Sequence, residues 1–273
     1  MTKPARSRSK TPVVRRVPAV SRATAILKFL AAEGEPIGVV PLAREVGLIP
    51  STCLHILRAL SEDGLVTFNP DTKRYALGPG VLAFAAAFAQ RDPFIQAIQP
   101  RLDDLARRHG CGFAAVEESR DHCVVVAIAD AETGFSVRVK VGMRFPKLVS
   151  ATGRCLVAFG AKQWTNAELK EAFSDLPWEK PPAFKDWLAS IETVKKQGYA
   201  VDDGNFVKGL TVVTVPVFGD AGAIAGFISA VALRERMNKE TLGALTRDIQ
   251  KAAQSASREL GHDKPPNRTR PSS

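Results

Sequence analysis

Residues 42–77 read LAREVGLIPSTCLHILRALSEDGLVTFNPDTKRYAL, and the reading of this stretch decides the fold around it. Leu42, Ala43 and Val46 recur at helical spacing, and Gly47 follows as a left-handed stop. Pro50 cannot continue a preceding helix and leads into Ser51-Thr52, hydroxyl residues suited to an N-cap. In the next helix Cys53, Leu57 and Leu60 point one way, flanked by Leu54 and Ile56. Ser51, Thr52, His55, Arg58, Ala59 and Glu62 point the other. That outward face is small, polar and partly basic, as a helix entering a DNA major groove must be. An ordinary amphipathic surface helix has the same look, so this helix alone does not decide.

The segment after the helix favours DNA. Gly64 ends the helix, Leu65-Val66-Thr67-Phe68 reads as a strand, Asn69-Pro70-Asp71-Thr72 is turn chemistry, and Lys73-Arg74-Tyr75-Ala76-Leu77 returns as the partner strand. A helix-turn-helix succeeded at once by a hairpin with Lys73 and Arg74 near its tip is a winged helix-turn-helix, whose wing cations lie beside phosphates or the minor groove. A plain hairpin with a solvated basic tip is the alternative.

These residues resemble a family. LAREVGL, STCLHILRALSEDGLV and RYALGPG look like the N-terminal domain of IclR-type bacterial transcription regulators. One departure stands out: the family usually carries Arg where this chain has His55. Imidazole lacks the bidentate guanine contact that Arg offers.

Upstream, Ser21 is expected to cap a helix with Ala25, Ile26, Phe29 and Leu30 as its apolar stripe and Gly34 as its end. Arg22, in its first turn, is a candidate phosphate contact or a solvated surface cation. Residues 1–16 hold six cations and no acid, the composition of a disordered arm that either follows phosphates or solubilises the chain. They lack the apolar run of a secretory signal. The formal charge of the 273-residue chain is +10. Residues 1–80 hold 12 Lys/Arg against 6 Asp/Glu, and the rest 26 against 22, so the basic excess is concentrated beside the helix-turn-helix.

Downstream, Val81, Leu82, Phe84, Ala85 and Phe88 repeat at helical spacing, with more apolar surface than a free linker tolerates. Its own copy in a dimer, or its own domain, would cover that face; the resemblance implies a linker helix used in dimerisation. Asp92-Pro93 breaks it, and Phe94 to His109 forms another amphipathic helix, perturbed by Pro100. The period then changes. CGFAAVEE, HCVVVAIADA and the alternating FSVRVKV read as strands, the last with Arg138 and Lys140 on a wet face. VSATGRCLVAFGA begins small and polar and becomes a helix; Thr165 caps the next; a further helix runs from about Trp187 to Gly198. GLTVVTVPVF and AIAGFISAVAL are long strands joined by a GDAG turn, and a helix from about Asn238 to Leu260 closes the domain. The fold class is α+β: a winged helix-turn-helix joined by a linker helix to an antiparallel-sheet, GAF-like effector domain. The expected divisions are an arm at 1–16, a DNA-binding domain at 17–80, a linker at 81–92, an effector domain at 93–260 and a disordered tail at 261–273.

Catalytic and metal-ligating patterns are absent from the sequence. The four His and four Cys show no metal spacing or CxxC pair, and there is no phosphate loop, dinucleotide fingerprint or nucleophile elbow. The expectation is no enzyme, no metal and no cofactor. The thiols read as buried and reduced, with redox sensing as the alternative. No stretch approaches eighteen apolar residues, so a soluble, cytoplasmic protein is expected.

Ser150-Ala151-Thr152-Gly153 enters a helix with small side chains, free N–H groups and the positive dipole end, a place for a carboxylate as well as a simple helix start. The resemblance implies the former. FPKLVSATGRCLVA and GYAVDDGNFVKGLTVVTVPVF are similar to the family's pocket segments, which puts Asp202, Val212 and Ser229 with Ser150, Ala151 and Thr152 around an effector. The family commonly has Glu where Gly204-Asn205 stand and a small polar residue at Val231. Both changes make the pocket less polar, which suits an aromatic acid.

The reading is a ligand-responsive regulator of a catabolic operon. Ser51, Thr52 and His55 face bases of an operator, Arg22, Arg58, Lys73 and Arg74 hold phosphates, and a homodimer or dimer of dimers binds a small organic acid. The alternatives are a constitutive DNA-binding protein whose second domain only oligomerises, and an enzyme carrying its own regulatory module.

Overall fold

The computed structural model describes residues 17–131 and 139–262. They form two compact units that divide after Ala89. The arm at 1–16, all but the start of the 261–273 tail, and residues 135–138 of the expected FSVRVKV strand lie outside the described residues.

The first unit is built on three helices: α1 (Pro18–Glu33), α2 (Val39–Glu45) and α3 (Pro50–Glu62). Their apolar stripes meet in one core of Ile26, Leu30, Leu42, Ala43, Cys53, Leu57 and Leu60, closed by Val66 and Tyr75 from the wing. Two expected caps are corrected. Val17, not Ser21, is the N-cap of α1, and Ile49, not Ser51 or Thr52, is the N-cap of α3. In both helices a proline occupies the first turn, where its missing N–H costs nothing and its fixed φ starts the helix early. The wing is larger than a hairpin: β2 (Val66–Asn69) and β3 (Arg74–Leu77) are joined by β1 (Ile37–Gly38) in the order β1-β3-β2. Gly47 adopts the left-handed conformation expected of it, and Gly64, expected to end the helix, does so too.

The helix α4 (Val81–Arg91) comes next, with no buried residue; Leu82, Phe84 and Phe88 are 66%, 68% and 53% exposed. Asp92 then caps α5 (Pro93–His109), its carboxylate accepting from the N–H groups of Phe94 and Ile95. The helix runs on through Pro100.

The second unit is an antiparallel six-stranded sheet in the order β6-β5-β4-β9-β8-β7. Its strands are β4 (Gly112–Glu118), β5 (Cys123–Ala129), β6 (Arg144–Phe145), β7 (Ala200–Asp203), β8 (Leu210–Phe218) and β9 (Ile224–Leu233). The GDAG segment joins β8 to β9 as expected, whereas β6 and β7 are short edge strands with little pattern of their own. The helices of this unit are α5, α6 (Ser150–Phe159), α7 (Asn166–Ser174), α8 (Phe184–Gln197) and α9 (Lys239–Glu259), of which α5, α6 and α9 lie on the sheet and α8 on α6. Alternation along the strands sends Phe113, Ala115, Ile228, Ala230, Val213 and Val215 to one face. Ala114, Val116, Phe227, Ser229, Thr214 and Asp202 go to the other, which also holds Ala151, Cys155 and Leu156 of α6. Thr165 caps α7 in a full capping box with Glu168, and Asn238 caps α9. A separate aromatic core of Phe173, Phe184 and Trp187 fastens α7 to α8.

Candidate DNA-reading face and effector pocket

The buried stripe of α3 leaves Ser51, His55, Arg58, Ala59 and Glu62 exposed, with Thr52 half-buried beside them. Arg22, Lys73 and Arg74 are exposed as well. Asn69 Oδ1 accepts from the N–H groups of Asp71 and Thr72, which sets the wing turn, and Lys73 comes next in the left-handed conformation (φ 57°). Arg74 also has a structural role, since its guanidinium donates to the carbonyl of Pro36 at 3.2 Å and ties the wing to β1.

The second site grows from the start of α6. Val149, the N-cap, offers no side-chain acceptor, and Gly153 donates the first bond back to the Val149 carbonyl at 2.9 Å. The N–H groups of Ser150, Ala151 and Thr152 therefore sit at the open, positive end of the helix. Ser150 is buried at φ 59°, a conformation unusual outside glycine, and its hydroxyl has no partner among the described residues. Gly153 lets this turn lie flat on the preceding chain, since a Cβ there would fall 2.2 Å from the carbonyl carbon of Leu148.

Opposite the helix lie two rows of the sheet. Thr214 pairs with Ser229 across β8 and β9, their hydroxyl oxygens 2.8 Å apart, and Thr152 reaches both from above at 3.4 and 3.5 Å. In the neighbouring row Asp202 pairs with Val212 and Val212 with Val231. Val212 and Val231 are half-buried while the Thr214–Ser229 row is buried, so the sheet opens at this end.

A buried ion pair closes the row. Arg154, one helical turn beyond Ser150, places its guanidinium 3.3 Å from Asp202, with side-chain exposures of 7% and 2%. The same guanidinium donates to the Ser150 carbonyl at 3.1 Å and lies 3.5 Å from Asn205 Oδ1. Burial lowers the Arg154 pKa, and the Asp202 carboxylate pulls it back up. The other Asp202 oxygen accepts from the Phe206 N–H at 3.0 Å. Asn205 in turn is clasped by Lys180, whose N–H donates to its carbonyl and whose carbonyl accepts from its side chain.

The structure thus brings Ser150, Ala151, Thr152, Asp202, Val212 and Ser229 to one face, together with Arg154 and Thr214, which sequence reasoning passed over, and Asn205, which it named only as a departure from the family. Arg154 carried a signal, the four-residue spacing from Ser150 that stacks two side chains on one helix face. Thr214 carried another, its alternation with Val212 on β8. Asn205 carried its signal through the resemblance, at the position where the family commonly has Glu.

The remaining chemistry is quiet. Among the described residues no cluster of His, Cys, Asp and Glu could hold a metal ion. Burial pushes the thiols up, Cys111 to about 11 and Cys123 to about 12, with Cys155 raised as well, so none is poised as a thiolate. Among the described residues no helix is long and apolar enough to cross a membrane.

Comparison with known proteins agrees with this layout. The IclR helix-turn-helix domain model matches residues 19–70, and the model of the bacterial transcriptional regulator IclR C-terminal domain matches residues 86–258. The HTH-type transcriptional regulator XynR of Escherichia coli is 24% identical over 251 residues, covering 90% of this chain and 98% of that protein. The crystal structure of an IclR transcriptional regulator from Alicyclobacillus acidocaldarius has a TM-score of 0.79 at 23% identity, over 90% of this chain and all of that one. An IclR homologue from Microbacterium hydrocarbonoxydans, solved with 4-hydroxybenzoate, has a TM-score of 0.74 at 16% identity, over 89% of this chain and 99% of that one. Two structures at such low identity speak for the fold, and the two domain models, which together span most of the chain, speak for the family. This chain belongs to the IclR family of bacterial transcriptional regulators.

Proposed function

We propose that this regulator responds to a small organic acid held at the start of α6, and that the acid changes its hold on an operator controlling a catabolic operon. The observation that carries the reading is the buried, unpartnered Ser150 hydroxyl at an open helix N-terminus, on the same helix as Thr152, whose hydroxyl meets those of Thr214 and Ser229. A buried hydroxyl left without a partner costs stability, and a carboxylate is an acceptor that would take it up. The half-buried Val212 and Val231 give the same space an apolar wall, which suits an aromatic ring over a two- or three-carbon acid. The 4-hydroxybenzoate bound by the Microbacterium homologue is an acid of that kind.

On the DNA side, Ser51, Thr52 and His55 face bases, and Arg22, Arg58, Lys73 and Arg74 face phosphates. A second copy of the chain covers the exposed Leu82, Phe84 and Phe88 of α4, so that two recognition helices meet a two-fold operator. The experiment is a thermal-stability screen of the purified protein against aliphatic and aromatic carboxylates. A ligand that binds only the folded state, at a hundred times its dissociation constant, stabilises by about 2.7 kcal/mol. The expected result is a shift with benzoate-type acids that exceeds the shift with pyruvate. No shift across the panel, with DNA binding intact, speaks for a domain that only assembles the protein.

A further inference from the structure

The polar groups around the start of α6 are unbalanced. A guanidinium has five N–H donors, and among the described residues Arg154 uses three of them, on the Ser150 carbonyl, Asp202 and Asn205. Its Nε–H and one hydrogen of the second amino group are left over. The Ser150 hydroxyl and the open end of α6 add further donors. On the acceptor side stand the Thr152, Thr214 and Ser229 hydroxyls, which donate as well as accept, and one carboxylate, Asp202, with one oxygen engaged by Arg154 and the other by the Phe206 N–H. The wall is therefore neutral in charge but rich in donors.

We propose that Arg154 is the residue that sets the charge of the ligand, admitting a carboxylate and disfavouring its uncharged counterpart. The proposal rests on the reading of this site as the effector pocket. Without Arg154, Asp202 would be a buried anion beside the ligand and would repel an acid. With it, the Asp202 charge is cancelled and the spare donors remain for an acceptor-only group. A carboxylate has two acceptor oxygens and no donor, so it matches this set; an amide brings a donating NH₂ into a donor-lined wall.

The test compares each acid with its amide, benzoate with benzamide and 4-hydroxybenzoate with its amide, by titration calorimetry on the full-length protein. The wild type is expected to prefer the acids by tenfold or more, on the order of one charge-assisted hydrogen bond. Arg154→Met alone strands Asp202, so the informative variant is Arg154→Met with Asp202→Asn, which removes both charges and leaves no buried ion unpaired. That double variant is expected to bind acid and amide within about threefold of each other, which is the removal of that charge-assisted preference. Arg154→Lys, which keeps the charge on a smaller donor set, is expected to retain the preference for acids and keeps the question answerable if the double variant does not fold. An unchanged preference for acids in the double variant, or its loss in Arg154→Lys, overturns the role of Arg154 while leaving the pocket assignment standing. Failure of the wild type to bind any acid overturns the pocket assignment itself, and the proposal with it.

Discussion

Thr214 and Ser229 face each other across β8 and β9 with their hydroxyl oxygens 2.8 Å apart, and both are buried. Neither residue is needed to hold the strands together, because the backbone ladder continues on both sides of the pair. With Thr152 above them, three hydroxyls form a closed triangle on the floor of the proposed pocket. Each hydroxyl has one hydrogen to donate, so a carboxylate, which only accepts, is met by turning one hydroxyl of the triangle away from its neighbour and toward the ligand.

Ser229→Ala is therefore expected to weaken acid binding about tenfold, the worth of one hydrogen bond, while costing the unliganded protein about 1 kcal/mol or less. Titration with benzoate and urea unfolding of the same variant check the two halves. A loss of stability much above that with unaltered binding would assign the triangle to the core alone.

Gly153 gives a second prediction, about placement. A Cβ there meets the backbone of Leu148 at 2.2 Å, and backbone cannot rotate away. Gly153→Ala is expected to destabilise by about 1–3 kcal/mol or to lift the first turn of α6, abolishing acid binding in either case. Wild-type unfolding and binding for this variant would contradict the close approach.

Glu117 on β4 predicts a pH dependence. Burial raises its carboxyl from the ordinary 4.5 to about 7, and the charge of Asp92 and a hydrogen bond with it add to the rise. A carboxyl raised on folding favours the protonated fold, so its contribution is complete below about pH 4.5 and is lost as pH climbs through about 7. Asp92 is the cap of α5, so the ionised pair strains the entry of that helix. Glu117→Gln, which fixes the neutral form, is expected to gain stability over wild type at pH 8 and to match it at pH 5. Urea midpoints at the two pH values decide the matter, and parallel midpoints at both would rule out a titrating Glu117.

The wing predicts a salt effect. Lys73 is exposed at the tip, free of the Pro36 tie that holds Arg74. Lys73→Gln is expected to weaken binding to all duplexes alike and to reduce the slope of log affinity against log salt by about 1 per half-site. His55→Ala, by contrast, is expected to relax preference at one base position with the slope unchanged. Selection from a randomised duplex library with each variant separates the two behaviours.

The parts that were legible in the sequence are the ones whose signal is local. Leu42 to Leu77 states its helices and wing within a few residues of each turn, and the cap expected at Thr165 and the helix start expected near Asn238 lie next to the helices concerned. The errors also have local causes. Ser21, Ser51 and Thr52 are good caps by type, but Pro18 and Pro50 start the helices earlier, and a proline at the first position outweighs a hydroxyl further on. β1 and β7 escaped because two and four residues carry no period; they exist by pairing with β3 and β8. The ion pair beside the pocket escaped for a third reason. Arg154 finds Asp202 forty-eight residues away and Asn205 fifty-one away, and only the folded sheet brings β7 beneath α6.

In the proposed function the acid at α6 and the operator at α3 act on one equilibrium, and such coupling must be reciprocal. The most direct measurement is the affinity for the best-binding acid, with and without saturating operator duplex. The predicted result is a change of about fivefold or more, matched by an equal factor in operator affinity when the acid is present. An acid affinity that is the same with and without DNA would contradict it.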